Sequence, residues 1–112
     1  VLVFPSRFEG LPLTLIEAQA AGLPSLISDT ITGDVIVTEG IVQQLSIELD
    51  PKEWAERAVL LAEEQSDRTC PYESIAAAGY DIRKLVQWYQ EFIQKNINRV
   101  RNEKEDLSED TK

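Results

Sequence analysis

Two short runs that read as strands, the apolar VLVF at residues 1–4 and SLIS at residues 25–28, bracket the segment LPLTLIEAQAAGLP, and its punctuation leaves few folds open. Pro12 sits where the first turn of a helix accepts it, because its missing N–H would have no intrahelical partner there. Leu11, Leu15, Ile16, Ala18, Ala20 and Ala21 then give a helix that is apolar nearly all round. Gly22 supplies a C-terminal cap and Pro24 forbids continuation. The first run is uninterrupted, as in strands buried on both faces of a parallel sheet, and Pro5 ends it. A strand, a helix and a strand joined by tight loops place the two strands parallel. The expected class is therefore α/β.

The remaining elements follow from local signals. Residues 29–40 are rich in Thr, Asp and Gly and read as a loop, with one helical turn at 33–35. Residues 41–47 form a third short strand. Asp50 is an N-cap, Pro51 takes the first helical position and Glu53 completes a capping box for a helix to about Glu64. Its buried stripe is Trp54, Ala55, Ala58, Val59, Leu61 and Ala62. A short helix over 72–78 ends at Gly79, and Asp81 caps a longer one reaching about Val100. Ile82, Leu85, Val86, Trp88, Tyr89, Phe92, Ile93 and Ile97 cover more than a narrow stripe on that helix, so it touches two surfaces. The C-terminal third is thus helical. Residues 1–100 form the domain, and the charged tail 101–112 is expected to be disordered.

Composition narrows the chemistry. A chain of 112 residues, 43% apolar, holds one modest core. It contains no apolar run of the roughly 20 residues that cross a bilayer and opens without a secretion-signal pattern, which reads as cytoplasmic or peripheral. There is no histidine, so imidazole catalysis and most zinc sites are excluded. Cys70, the sole cysteine, has no base near it in sequence and reads as inert. The net charge of −9 argues against nucleic acid or an anionic membrane surface as the main partner. Eleven acids against Arg7, Lys52 and Arg57 leave residues 1–65 at −8. An anionic ligand would have to be held there by backbone amides and a helix terminus, or by cations from elsewhere.

Within residues 10–27 the only ionisable side chain is Glu17, on a helix whose other positions favour burial. Such a charge costs several kcal/mol unless it is paired, exposed or turned toward a ligand. Two readings stand: a partly exposed or paired Glu, and a Glu lining a pocket. Glu9 lies in the loop at the carboxyl end of the first strand, where open parallel sheets bind ligands. The amides of Gly10 and Leu11 precede a helix start and suit a phosphate oxygen, and Gly10 permits close backbone approach. Asp29 and Thr30 end the second strand and read as a turn or cap. Trp54 and Trp88 read as packing residues.

The stretch FPSRFEGLPLTLIEAQAAGLPSLISD resembles the C-terminal domain of the retaining glycosyltransferases of family 4, which have the GT-B fold. There two Glu residues, here Glu9 and Glu17, are separated by seven residues around Gly-Leu-Pro. The order of elements beyond Asp50, with CPYES and AGYDIRKLVQWYQEF, is similar to the bacterial exopolysaccharide and capsule branch. The resemblance implies a partial Rossmann-like sheet, truncated at its N-terminal side, that binds a nucleotide diphosphate sugar, UDP-linked. It implies that Glu9 acts at the donor sugar as the catalytic-site carboxylate, that Gly10 and Leu11 face sugar or diphosphate, and that Glu17 holds the ribose hydroxyls. No cofactor and no metal are implied. A hexose or N-acetylhexosamine would pass, with retention, to a glycan or lipid-linked acceptor held by an N-terminal domain, in an enzyme at the inner face of the membrane.

The same resemblance places a basic pair and a base-binding loop upstream of this motif, on strands this chain lacks. The chain opens in mid-strand and reads as an excised fragment, inactive alone. In the family's fold the last helix crosses back to the N-terminal domain; without that domain, a second copy would cover its apolar surface. Two other readings remain: a non-enzymatic α/β interaction module, and a nucleotide-sugar epimerase of the same two-domain fold.

Overall fold

Every residue of the strand Ser25–Ser28 (β2) is buried, and the fold follows from what covers it. The computed structural model describes residues 1–111 and divides the chain into two units, Val1–Ala78 and the segment from Gly79 onward. In the first unit, Leu2–Phe4 (β1) and Val42–Leu45 (β3) flank β2 in a parallel sheet of order β1-β2-β3. Leu2 pairs with Ser25 and Ser25 with Val42, which sets both registers. The α/β expectation holds as a small open parallel sheet with helices.

Leu13–Ala20 (α1) connects β1 to β2. Pro12 is its N-cap, and its carbonyl accepts from the amide of Leu15 at 3.0 Å. At the other end Leu23 N–H donates to the Ala18 carbonyl at 2.8 Å and Gly22 N–H to that of Gln19 at 2.9 Å, the two bonds of a Schellman cap. Gly22 has φ 62°, and a Cβ there would stand 2.4 Å from the Thr69 carbonyl oxygen. Both the backbone angle and the close approach therefore require glycine. One face of α1 is buried, through Leu15, Ile16, Ala18 and Gln19. The helix that is apolar nearly all round is corrected to one with an outer side: Leu11, Leu13, Glu17 and Ala21 are exposed.

Pro51–Glu64 (α2) begins with the capping box read from the sequence, Glu53 accepting from the amide of Asp50 at 3.1 Å. Trp54, Ala58 and Leu61 pack on Leu26 of β2, with Leu45 at the margin, and Trp54 Nε1 donates to the Ser46 carbonyl at 3.0 Å. The pleat sends Ile27 to the opposite face, and since Leu26 and Ile27 are both fully buried, α1 and α2 cover β2 from its two sides. The stripe of six is corrected to three, because Ala55, Val59 and Ala62 are exposed. The same reason exposes β1: Val3, level with Leu26 in register, is 45% exposed, so this edge strand is not buried on both faces.

The loop between β2 and β3, with a 3-10 turn at Gly33–Val35, is held chiefly by the side chain of Gln19, with Gln44 Nε2 donating to the Ile31 carbonyl at 2.9 Å. Gln19 is fully buried, and its Nε2 donates to the carbonyls of Leu15 at 2.9 Å and Val35 at 2.7 Å. Its Oε1 accepts from Val37 N–H, Thr38 N–H and the Thr38 hydroxyl, at 2.9, 3.1 and 2.9 Å. Tyr72–Ile75 (α3) leads on to a wider turn over Ala76–Tyr80.

In the second unit Gly79, at φ 93°, precedes Asp81, whose carboxylate accepts from the amide of Arg83 at 3.0 Å and caps Ile82–Glu109 (α4). The 28 residues of α4 make a rod of about 42 Å. Residues 101–112, expected as a disordered tail, are helical as far as Glu109, and Lys112 lies outside the described residues. The pairs Arg99–Glu103 and Arg101–Glu105, one turn apart, suit a helical continuation. Trp88 stacks on Phe92 with ring centroids 5.2 Å apart and meets Tyr89 edge-on at 5.1 Å. Trp88 is exposed, as are the other large apolar residues of this helix.

Replacing Gln19 by leucine keeps the bulk but leaves the Val35 carbonyl and the Thr38 amide without their partner. Gln19→Leu is expected to lower unfolding free energy by about 3–5 kcal/mol, read from urea denaturation, since each buried orphan costs about 1–3 kcal/mol. A loss below about 1 kcal/mol would contradict the role given to this amide.

Candidate functional site

The loops that leave the carboxyl ends of β1 and β2 are tied to each other by side-chain hydroxyls. The Ser6 carbonyl accepts from the Ser28 hydroxyl and, at 3.0 Å, from the Thr30 hydroxyl. These two hydroxyls also lie 2.9 Å apart. Ser28 is fully buried, so the loop after β1 is fastened to a point that does not move relative to the core. From the same residue the Ser6 hydroxyl reaches Glu9 Oε1 at 3.0 Å and the Phe8 carbonyl at 3.3 Å.

Glu9 is half-buried, and its Oε2 has no hydrogen-bond partner among the described residues. Gly10 and Leu11 follow, both exposed, and their amides donate to nothing among the described residues. A Cβ on Gly10 would meet no atom within 4 Å, so packing within this chain does not require glycine there, and close approach could only be toward something else. Pro12 then carries no N–H. Three consecutive residues of this loop thus leave a carboxylate oxygen and two donors without a partner among the described residues, at the end of a parallel sheet where such folds bind ligands.

Glu17 lies apart from this hydrogen-bonded cluster. At about 100° per residue it is on the side of α1 turned away from Leu15, Ile16 and Gln19, and it is exposed. The desolvation argument for a ligand at Glu17 therefore falls, since an exposed carboxylate needs no partner. Arg7 is exposed and forms no ion pair among the described residues. Asp29 is exposed, while its amide donates to the Leu45 carbonyl at 3.0 Å. An apolar groove of about 420 Å³ between Val3, Pro5, Leu49 and Trp54 offers almost no polar atoms, and neither glutamate lines it.

Comparison with known proteins gives the family of the chain. The family described as "Glycosyl transferases group 1" matches residues 1–64, which is more than half of the chain. The chain belongs to this family. It is also 44% identical over 87 residues to the protein named "Putative glycosyltransferase EpsF" of Bacillus subtilis (strain 168). That match covers 77% of the chain and 23% of the relative, so the chain spans about a quarter of the curated protein it resembles. No solved structure matches it. The group 1 glycosyl transferase region holds β1, the Glu9 loop, α1 and β2 together with β3 and α2.

Sequence reasoning singled out Glu9, Gly10, Leu11 and Glu17 in this group 1 chain and gave no role to Ser6, Ser28 or Gln19, whose hydrogen bonds hold the neighbouring loops. Ser28 carried a signal, a hydroxyl at the end of a buried strand, which must find an acceptor. Gln19 carried a similar one: a polar residue four places after Leu15 on the face that packs inward. Because nothing crowds Gly10, Gly10→Ala is expected to change unfolding free energy by less than about 0.5 kcal/mol in a denaturation experiment. A loss above about 1.5 kcal/mol would show that glycine is needed for the fold.

Proposed function

We propose that this chain is the donor-binding part of a retaining GT-B glycosyltransferase of family 4. The reading rests most on one observation: Glu9 Oε2 and the amides of Gly10 and Leu11, three consecutive residues of the loop at the carboxyl end of β1, have no hydrogen-bond partner among the described residues, in a chain of the group 1 glycosyl transferase family. A sugar supplies hydroxyl donors for the carboxylate, and a diphosphate supplies acceptors for the amides. Glu9 contacts the donor sugar at the reacting end, and Gly10 and Leu11 face sugar or diphosphate. Glu17, already in contact with solvent, takes the ribose hydroxyls from the outer side of α1.

The donor is a UDP-linked hexose or N-acetylhexosamine, and the acceptor is a growing glycan or lipid-linked saccharide bound by a separate N-terminal domain. The likeness to the exopolysaccharide branch supports work at the cytoplasmic face of the membrane. Arg7, the cation nearest to the two amides in sequence, is exposed and forms no ion pair among the described residues, and we take the charge that balances the diphosphate to come from outside these residues, so that the chain alone does not catalyse transfer.

Kinetics of the complete protein with a panel of nucleotide sugars test this reading. Glu9→Ala is expected to lower kcat/KM about 100-fold, as loss of a charged hydrogen-bonding group at the reacting centre does. Glu17→Ala is expected to raise the donor KM about tenfold with little change in kcat. Unchanged kinetics for both variants would overturn the assignment.

A further inference from the structure

A glutamate on a loop is a poor tool for gripping one hydroxyl of a sugar unless something fixes its carboxylate, because three side-chain torsions otherwise spread it over several rotamers. In this chain one oxygen of Glu9 is already engaged. We infer that Ser6 is a positioning residue for Glu9, and that Ser28 and Thr30 transmit the position of the buried strand β2 to it. The inference rests on the reading of Glu9 as the donor-sugar carboxylate.

The geometry carries it in two steps. The Ser6 hydroxyl has one proton and two acceptors in reach, the Phe8 carbonyl at 3.3 Å and Glu9 Oε1 at 3.0 Å. The shorter contact to an ionised acceptor is the stronger, so the proton goes to Glu9. That leaves Oε2 for the ligand.

The second step fixes Ser6 itself. Its carbonyl is reached by two hydroxyls, Ser28 and Thr30, which are also within hydrogen-bond distance of each other. Two protons serve three contacts, so Thr30 donates either to Ser6 or to Ser28 while Ser28 holds the Ser6 carbonyl. In either arrangement the loop stays fastened to β2. Ser28 is fully buried and Thr30 exposed, so the first is a rigid anchor and the second a replaceable brace.

The test is a double-mutant cycle on transfer activity in the complete protein, with Ser6→Ala, Ser6→Thr and Thr30→Val, each made alone and with Glu9→Ala, and with Glu9→Gln made alone. Ser6→Ala is expected to lower kcat about tenfold with donor KM changed less than twofold, and Ser6→Thr, which keeps the hydroxyl, should recover most of the loss. In the Glu9→Ala background, where the acceptor for the Ser6 hydroxyl is gone, Ser6→Ala should cost little more. Thr30→Val, at an exposed position, should give a two- to threefold loss that is also absent in that background. Thr30→Val keeps the inference testable should Ser6→Ala disturb folding. An equal loss with and without Glu9, or no loss from Ser6→Ala and Thr30→Val while Glu9→Gln is impaired, would overturn the positioning role alone. Full activity of Glu9→Gln would instead overturn the underlying assignment of Glu9.

Discussion

A four-residue strand without solvent contact is the constraint on which the first unit depends. β2 can be wholly buried only if its two edges are paired and its two faces covered, and each requirement is met by a different element. β1 and β3 take the edges, while α1 and α2 take the faces. A parallel sheet this small has no room for a second central strand, so burial falls off sharply on either side of β2. Val3 shows it, at 45% exposure one strand away from a fully buried Leu26.

Polar groups finish what apolar burial begins. Gln19 closes the loop after β2 onto α1 with four hydrogen bonds from a side chain that touches no solvent. Trp54 anchors α2 to the end of β3 through its indole N–H. Ser28 ties the loop after β1 to the end of β2. In each case a donor or acceptor whose burial would be costly is satisfied by backbone from a neighbouring segment, which converts a desolvation penalty into a fixed geometry. The loop that carries Glu9 inherits its position from such a contact.

Element order and helix caps were legible in the chain because they rest on local rules. The capping box of Asp50 and Glu53, the Schellman cap at Gly22 and the stop at Gly79 appear where proline, glycine and acidic residues announce them. What could not be read locally was how far each apolar face would be covered. The sequence shows that Val59, Ala62 and Ile82 are apolar, but not whether another element reaches them, and in the structure they are exposed. The same gap misled the argument for Glu17, whose helix has an outer side that composition alone did not reveal. At the candidate site, Glu9, Gly10 and Leu11 were legible from loop position and glycine chemistry, whereas Ser6, Ser28 and Thr30 meet only once residues more than twenty apart in sequence are brought together.

Membership of the group 1 glycosyl transferases gives this arrangement its meaning, since unpaired acceptor and donor groups at the end of a parallel sheet suit a ligand that bears both hydroxyls and phosphates. Amide hydrogen exchange at Gly10 and Leu11, followed in the complete protein with and without a bound nucleotide diphosphate sugar, tests that account most directly. Binding is predicted to slow exchange at these two amides, which otherwise face solvent without a partner. Unchanged exchange at both positions while the donor is bound would contradict it.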